Sequence, residues 1–302
     1  MALRPAGGGV NLTVPVGSYP WSVGLNLTTA TLRVLNLASS TFSVISTTTN
    51  TVTTTVAAGT SPLSIAVNST TNHVYVTHYD GTVSVIDGAT NGVLASVSAG
   101  SYSLAAAVNP STNRVYVANF YSNTISVIDG ATNLVSAAIG VGAGPSAVDV
   151  NPTTNHIFVT NQLGRTLSVI DGTNNTVLTT VALSPYYPFG VAVNSLTNRV
   201  YIAMGGDAGA VGVLDGLNNT LITTIAVAVS PESIAVDSTK KYVYAAACCG
   251  ISSTVYVIDA NTNTALAPLA SGTSPHGLAV DPNNFVYGAN ADSNTAFVKS
   301  AP

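Results

Sequence analysis

Charge is the scarcest property of this 302-residue chain. Lys, Arg, Asp and Glu together make up 7% of it, against about 25% in a typical soluble protein. The eight basic residues are scattered, only Lys240 and Lys241 being adjacent, and the formal net charge is −4. Phosphate backbones are held by a basic stripe, so nucleic-acid binding is excluded as an expected function. Cysteine is nearly absent: Cys248 and Cys249 are the only two, and being adjacent they offer no disulfide framework. Hydrophobic residues reach 46% and mean hydropathy is +0.41. Even so, Gly, Pro, Ser, Thr or Asn interrupts every apolar run before the roughly 18–20 residues that a spanning helix needs.

Catalytic signatures are missing too. The chain has no Gly-x-Ser-x-Gly elbow, no His-Glu-x-x-His and no phosphate-cradling glycine loop. Gly205-Gly206-Asp207-Ala208-Gly209 is glycine-rich, but it lies between two strand patterns and lacks the helix N-terminus that phosphate binding exploits. No stretch carries a helical period. Residues 1–9 have neither the basic start nor the apolar core of a signal peptide and are expected to be a disordered tail. A surface solvated by Ser, Thr and Asn instead of charge suits a secreted or cell-surface chain, so an extracellular or surface location is expected.

What the chain does have is repetition. Val-Asn-Pro-Ser-Thr-Asn-Arg-Val-Tyr-Val-Ala-Asn at 108–119 returns as Val-Asn-Pro-Thr-Thr-Asn-His-Ile-Phe-Val-Thr-Asn at 150–161. The position held by Asn26, Asn68, Asn109, Asn151, Asn194, Asp237 and Asp281 recurs at spacings of 42, 41, 42, 43, 43 and 44. A fixed period of this length signals stacked supersecondary units. A length prior alone suggests about two domains, but an uninterrupted period predicts one closed array over residues 10–302.

Each unit reads as four strands. In the third, Leu104–Val108 is a short apolar run, Arg114–Asn119 and Thr124–Asp129 alternate, and Leu134–Ile139 follows a Gly-Ala-Thr-Asn turn. Val, Ile, Tyr and Thr at period two, punctuated by Asn, Asp, Gly and Pro, are strand and turn chemistry. Four antiparallel strands per repeat of about 42 residues predict a propeller blade. Seven units fit, the last one strand short. Val10–Val16 resembles the outer strands Asn50–Val56 and Asn175–Val181, so the N-terminal strand is expected to complete the last blade and hide both edges.

Tyr116-Val117-Ala118-Asn119, Phe158-Val159-Thr160-Asn161 and Tyr75-Val76-Thr77-His78, each followed by Ser-Val-Ile-Asp, resemble the YVTN β-propeller repeat over residues 10–298. That resemblance implies a seven-bladed propeller of the kind common in surface-layer and exported proteins of archaea and bacteria. It implies no single activity. Lactonases and the streptogramin lyase are built on similar rings, so fold does not decide function.

Residues that recur in every unit build blades, and those that do not are candidates for function. Asp87, Asp129, Asp171, Asp215 and Asp259 share one turn and are expected to cap it. His73 and His156 stand where Arg114 and Arg199 stand and read as surface turn residues. Tyr75, Tyr116, Phe158, Tyr201, Tyr244 and Tyr287 read as one ring of core aromatics. The non-recurring acids are Asp80, Asp149, Asp207, Glu232 and Asp292. Asp149 alone falls in an innermost strand, where most units have Ala. The others fall in loops between second and third strands or in segments leading into a new blade, two classes that emerge on the same face. His78, Arg165 and His276 fall there as well, with Tyr19, Trp21, Tyr79, Tyr102, Phe120, Tyr121, Tyr186, Tyr187 and Phe189. Binding residues gather on loops held by a rigid scaffold, so this face is the expected working surface.

Three subsets each carry two readings. His78, Asp80, Glu232 and His276 form either an acid–base or divalent-metal site at the channel mouth, or two histidines with no common ligand. Cys248 and Cys249 form either a strained vicinal disulfide or two thiols. The aromatic set, with Arg165, Asp207 and Asp292, either contacts a ligand or packs at blade seams. The expected function is a monomeric scaffold that binds a partner protein or a glycan and needs no cofactor. The alternative is a lyase or hydrolase acting on a small ligand, with the four ionisable residues as bases or metal ligands.

Overall fold

The computed structural model describes residues 11–206, 208–237, 239, 241–248, 253–283 and 285–300. Within them the chain is all-β and forms seven antiparallel sheets. Blade 1 runs from its inner strand Pro20–Asn26 through Thr31–Asn36 and Thr41–Ser46 to the outer strand Thr51–Ala57. Blades 2 to 6 repeat that order, with inner strands Pro62–Asn68, Ser103–Asn109, Pro145–Asn151, Tyr187–Asn194 and Pro231–Asp237. Blade 7 has Pro275–Val280, Phe285–Asn290 and Thr295–Ser300, and its fourth strand is Asn11–Pro15 from the other end of the chain. Those ends pair antiparallel from Asn11 opposite Lys299 to Pro15 opposite Thr295. The ring is closed as expected.

Burial explains the strand composition. Second and third strands are buried almost end to end, as in His73–His78 and Thr124–Asp129, and are near-continuous Val, Ile, Tyr and Thr. Outer strands such as Thr51–Ala57 are mostly exposed and threonine-rich. Blade 6 departs from the pattern: its outer strand is split into Thr264–Ala265 and Leu269–Ala270, both paired with Thr254–Asp259. Pro268 lies in the gap, and a proline has no N–H to donate to the ladder.

The core is seven seams. The buried apolar side chains fall into seven clusters, and each spans two neighbouring blades. Polar repeats reinforce the seams. The side-chain amides of Asn26, Asn68, Asn109 and Asn151 donate to the amide oxygens of Asn72, Asn113, Asn155 and Asn198 in the next blade, at 2.7–2.8 Å. Their own oxygens accept the backbone N–H two residues on. Asp237 and Asp281 keep that acceptor half. The recurring turn aspartates cap as expected: Asp87, Asp129, Asp171, Asp215 and Asp259 each accept the N–H two residues on through Oδ1. In blade 1, Arg33 occupies the slot of the ring aromatics. It is fully buried and its Nη2 donates to the Gly88 carbonyl of blade 2 at 2.8 Å.

Closure makes a direct prediction. Val14 is 6% exposed and packs with Ala296 and Val298, whereas Thr13 faces solvent. Val14→Asp is expected to lower the thermal midpoint by roughly 5–10 °C through an unpaired buried charge. Thr13→Asp should leave it nearly unchanged in the same calorimetric scan.

Candidate functional site

One irregularity, repeated seven times, builds the channel mouth. Inner and second strands slip register between Pro20 and Ser22, Pro62 and Ser64, Ser103 and Ala105, and Pro145 and Ala147. The same slip falls between Pro188 and Gly190, Pro231 and Ser233, and Pro275 and Leu278. A residue in such a bulge leaves the ladder and its side chain is re-aimed. The re-aimed residues are Trp21, Leu63, Leu104, Ser146, Phe189, Glu232 and His276, and all seven line one cavity of about 360 Å³. A second cavity of about 440 Å³ continues down the channel and shares Ser22, Ser64, Ala105 and Ser233 with the first. Glu232, Trp21, Phe189 and His276 therefore belong to the inner strands themselves, rather than to the segments leading into them.

Backbone bonds hold this rim as one surface. The amides of Leu37, Tyr79, Phe120, Gln162 and Ala291 donate to the carbonyls of Tyr19, Ser61, Tyr102, Gly144 and Ser274. Loops after second strands are thus tied to loops that lead into blades. Tyr19 and Tyr102 adopt left-handed backbone conformations, with φ of 55° and 57°, a region that side chains other than glycine enter rarely.

The aromatic residues sort into three groups on this rim. Tyr19 stacks on Trp21 at 5.8 Å between ring centroids, and Trp21 stacks on His276 at 3.7 Å. Tyr79, Tyr102, Phe120 and Tyr121 form a cluster in which Tyr102 lies 4.8 Å from both Tyr79 and Tyr121. The Arg165 guanidinium lies over the Tyr187 ring at 4.1 Å and Nη2 donates to its hydroxyl. Tyr186 packs instead against the seam between blades 4 and 5. Asp292 is exposed. Asp207, Cys249 and the 1–9 tail lie outside the described residues.

The ionisable set does not gather as one group. His78 is buried, with Nδ1 3.0 Å from the Thr60 carbonyl and Nε2 2.8 Å from Ser84 Oγ. Asn119 and Asn161 make the equivalent bond to Ser126 and Ser168, so His78 is the blade 2 version of an internal clip. Gly59, at φ +91°, leaves room for the larger ring: a Cβ there would lie 2.7 Å from His78 Cε1. Asp80 is exposed and caps its own loop through Thr82 N and Oγ1. Those two hydrogen bonds hold its carboxyl below the usual range.

His276 and Glu232 do come together, and Cys248 joins them. One ligand atom from each lies within 4.8 Å of the others. Cys248 follows the second strand of blade 6, Tyr242–Ala247, and Glu232 is the bulge residue of the same blade. Burial pushes the His276 imidazole below its ordinary value, with Glu232 and Asp292 opposing the shift. Asp149 lines the lower cavity. Its register neighbours are Gly24, Ala66, Ala107, Ala192, Ala235 and Ala279, each paired across to the ring slot of its own blade. Asp149 accepts N–H bonds from Val150 and from Val193 of blade 5, both at 2.8 Å. Ser22 and Ser233 accept equivalent bonds from Ile65 and Leu278, so each of the three ties one inner strand to the next.

The fold has a close likeness among solved structures. A chain titled Kuenenia stuttgartiensis Hydrazine Synthase matches with a TM-score of 0.85 and 18% identity, covering 94% of this chain and 96% of that one. At that identity the likeness shows the seven-bladed fold and nothing of the chemistry. No protein-family model and no curated protein matches the sequence.

Two predictions follow from buried His78 and channel-lining Asp149. His78→Ala should cost roughly 1–3 kcal/mol by leaving Ser84 and Thr60 without their partner. His78→Asn, which restores the amide found in blades 3 and 4, should keep most of that stability in urea melts. For Asp149, burial pushes the carboxyl from 3.8 up to about 6, and its N–H donors offset only part of the shift. The folded chain thus holds this proton more tightly than the unfolded chain. The contribution is complete below about pH 4 and lost as the pH rises through about 6. His276, shifted the other way, contributes the opposite slope nearby. The difference between wild type and Asp149→Asn across that window therefore isolates Asp149: the variant should lose less stability on going from pH 4 to pH 7.

Proposed function

We propose that this propeller is a binding scaffold of an exported or cell-surface protein, and that it takes a partner protein on the aromatic rim. One observation carries the reading. Tyr79, Tyr102, Phe120 and Tyr121 pack on one another as one patch, with Tyr79 55% and Tyr121 61% exposed. Exposed aromatics grouped this way match the composition of interface hot spots. A glycan is the other ligand that such rings serve, by stacking on an open face. The rings here spend part of their faces on each other, which favours a protein. The likeness of the Tyr-Val-Ala-Asn and Phe-Val-Thr-Asn segments to the YVTN repeat, together with the 7% charge, supports the exported setting.

A second reading is favoured by the channel mouth. A cavity of about 360 Å³ with Glu232 and His276 in its wall is large enough for a small ligand, and a buried imidazole beside a carboxylate is acid–base equipment. A lyase or hydrolase acting on a small molecule there would leave the tyrosine cluster outside the chemistry.

The double variant Tyr79→Ser with Tyr121→Ser separates the two. Both side chains are exposed, so the thermal midpoint should hold. Retention of a partner from the native extracellular fraction should weaken by roughly 30-fold per tyrosine if each is a hot spot. Equal retention by wild type and variant sinks the partner-protein reading, and a glycan-array signal lost only in the variant replaces the protein with a sugar.

A further inference from the structure

We propose that Glu232, Cys248 and His276 form a zinc-type metal site in the wall of the channel mouth. The inference is independent of whether the tyrosine cluster binds a partner. Carboxylate, thiol and imidazole converge here from two blades, with one ligand atom of each within 4.8 Å of the others. In a tetrahedral zinc site, bonds of about 2.0–2.3 Å set neighbouring ligand atoms about 3.3–3.8 Å apart. Glu232, the partly exposed member of the three, is the group left to move in closing that gap.

None of the three is a repeat residue. Glu232 and His276 hold the bulge slot that is Leu63 in blade 2 and Leu104 in blade 3. Cys248 holds the slot after the second strand, which is Tyr79 in blade 2 and Phe120 in blade 3. Blade building thus accounts for none of them. Cys248 and His276 are 1% and 5% exposed, and Trp21 covers one face of the His276 ring at 3.7 Å. The packing limits how far those two groups can move, as a preformed site requires.

The donor chemistry selects the metal. A thiolate and an imidazole favour zinc over magnesium or calcium, which prefer oxygen ligands alone. One thiolate and one carboxylate balance the charge of a divalent ion, and the Cys248 thiol proton leaves to solvent as the metal binds. Three protein ligands leave a fourth position, and Glu232 and His276 both line the 360 Å³ cavity. That open position would face the cavity, the arrangement of zinc centres that hold water or a small ligand.

The test uses the full chain, reduced, with zinc measured by competition against a chromophoric chelator. One zinc per chain is expected, with magnesium and calcium in excess failing to displace it. Cys248→Ser and His276→Ala should each weaken binding by roughly 100-fold or more. Cobalt substitution should give a thiolate charge-transfer band that Cys248→Ser removes. Cys249→Ser and His78→Asn should bind as wild type does, which assigns the thiol and the imidazole. If either buried-site variant fails to fold by circular dichroism, Glu232→Gln, at a partly exposed position, takes its place and should also weaken binding. Absence of stoichiometric zinc on the reduced wild-type chain, or wild-type affinity in Cys248→Ser and His276→Ala, overturns the proposal.

Discussion

No blade can bury its own faces. Its middle strands are apolar on both sides, so a four-stranded sheet of this sequence needs a neighbour on its left and another on its right. Seven seams satisfy that demand only when the array closes. Each buried Val or Leu is worth about 1.5–3 kcal/mol, so an open ring would forfeit a whole seam of such residues. Closure rests on a strand of five residues, Asn11–Pro15, which supplies the edge that the other end of the chain lacks. The Asn-to-Asn bonds between successive blades add direction to a contact that apolar packing leaves loosely specified.

The same closure makes the channel mouth rigid enough to hold a site. Side-chain ties from Ser22, Asp149 and Ser233 keep neighbouring inner strands abreast. Above them, one bulge per blade turns one side chain toward the axis. The bulge slot is fixed in space and free in chemistry. It holds indole, alkyl, hydroxyl, phenyl, carboxylate and imidazole groups around a single cavity. The scaffold constrains position without constraining residue type, which is how one ring architecture can serve unrelated functions.

Much of this was readable from residues alone. The recurring Asn, the Ile-Asp turns and the ring aromatics were all visible as period, and the capping bonds of the turn aspartates follow from local chemistry. His78 was ambiguous. Its chemistry suggested a ligand, and only the structure showed that the slot it shares with Asn119 and Asn161 makes an internal clip. Arg33 held the aromatic slot of blade 1 in the same register, a signal that sequence reasoning passed over. The bulge slot also left a trace, because most of its residues directly follow a proline that opens the inner strand.

Sequence grouped Glu232 with His276, together with His78 and Asp80; that Cys248 joins them left no trace. Glu232, Cys248 and His276 are 16 and 28 residues apart, on no ligand spacing, and come from two blades, Glu232 and Cys248 from blade 6 and His276 from blade 7. Periodicity determined the number of blades, the closing strand and the rim on which the unusual residues stand, because those depend on local strand and turn preferences repeated along the chain. Tertiary structure decided which of those residues touch. Contacts across a seam depend on the angle between sheets and on the aim of each bulge, and neither is encoded in any one repeat.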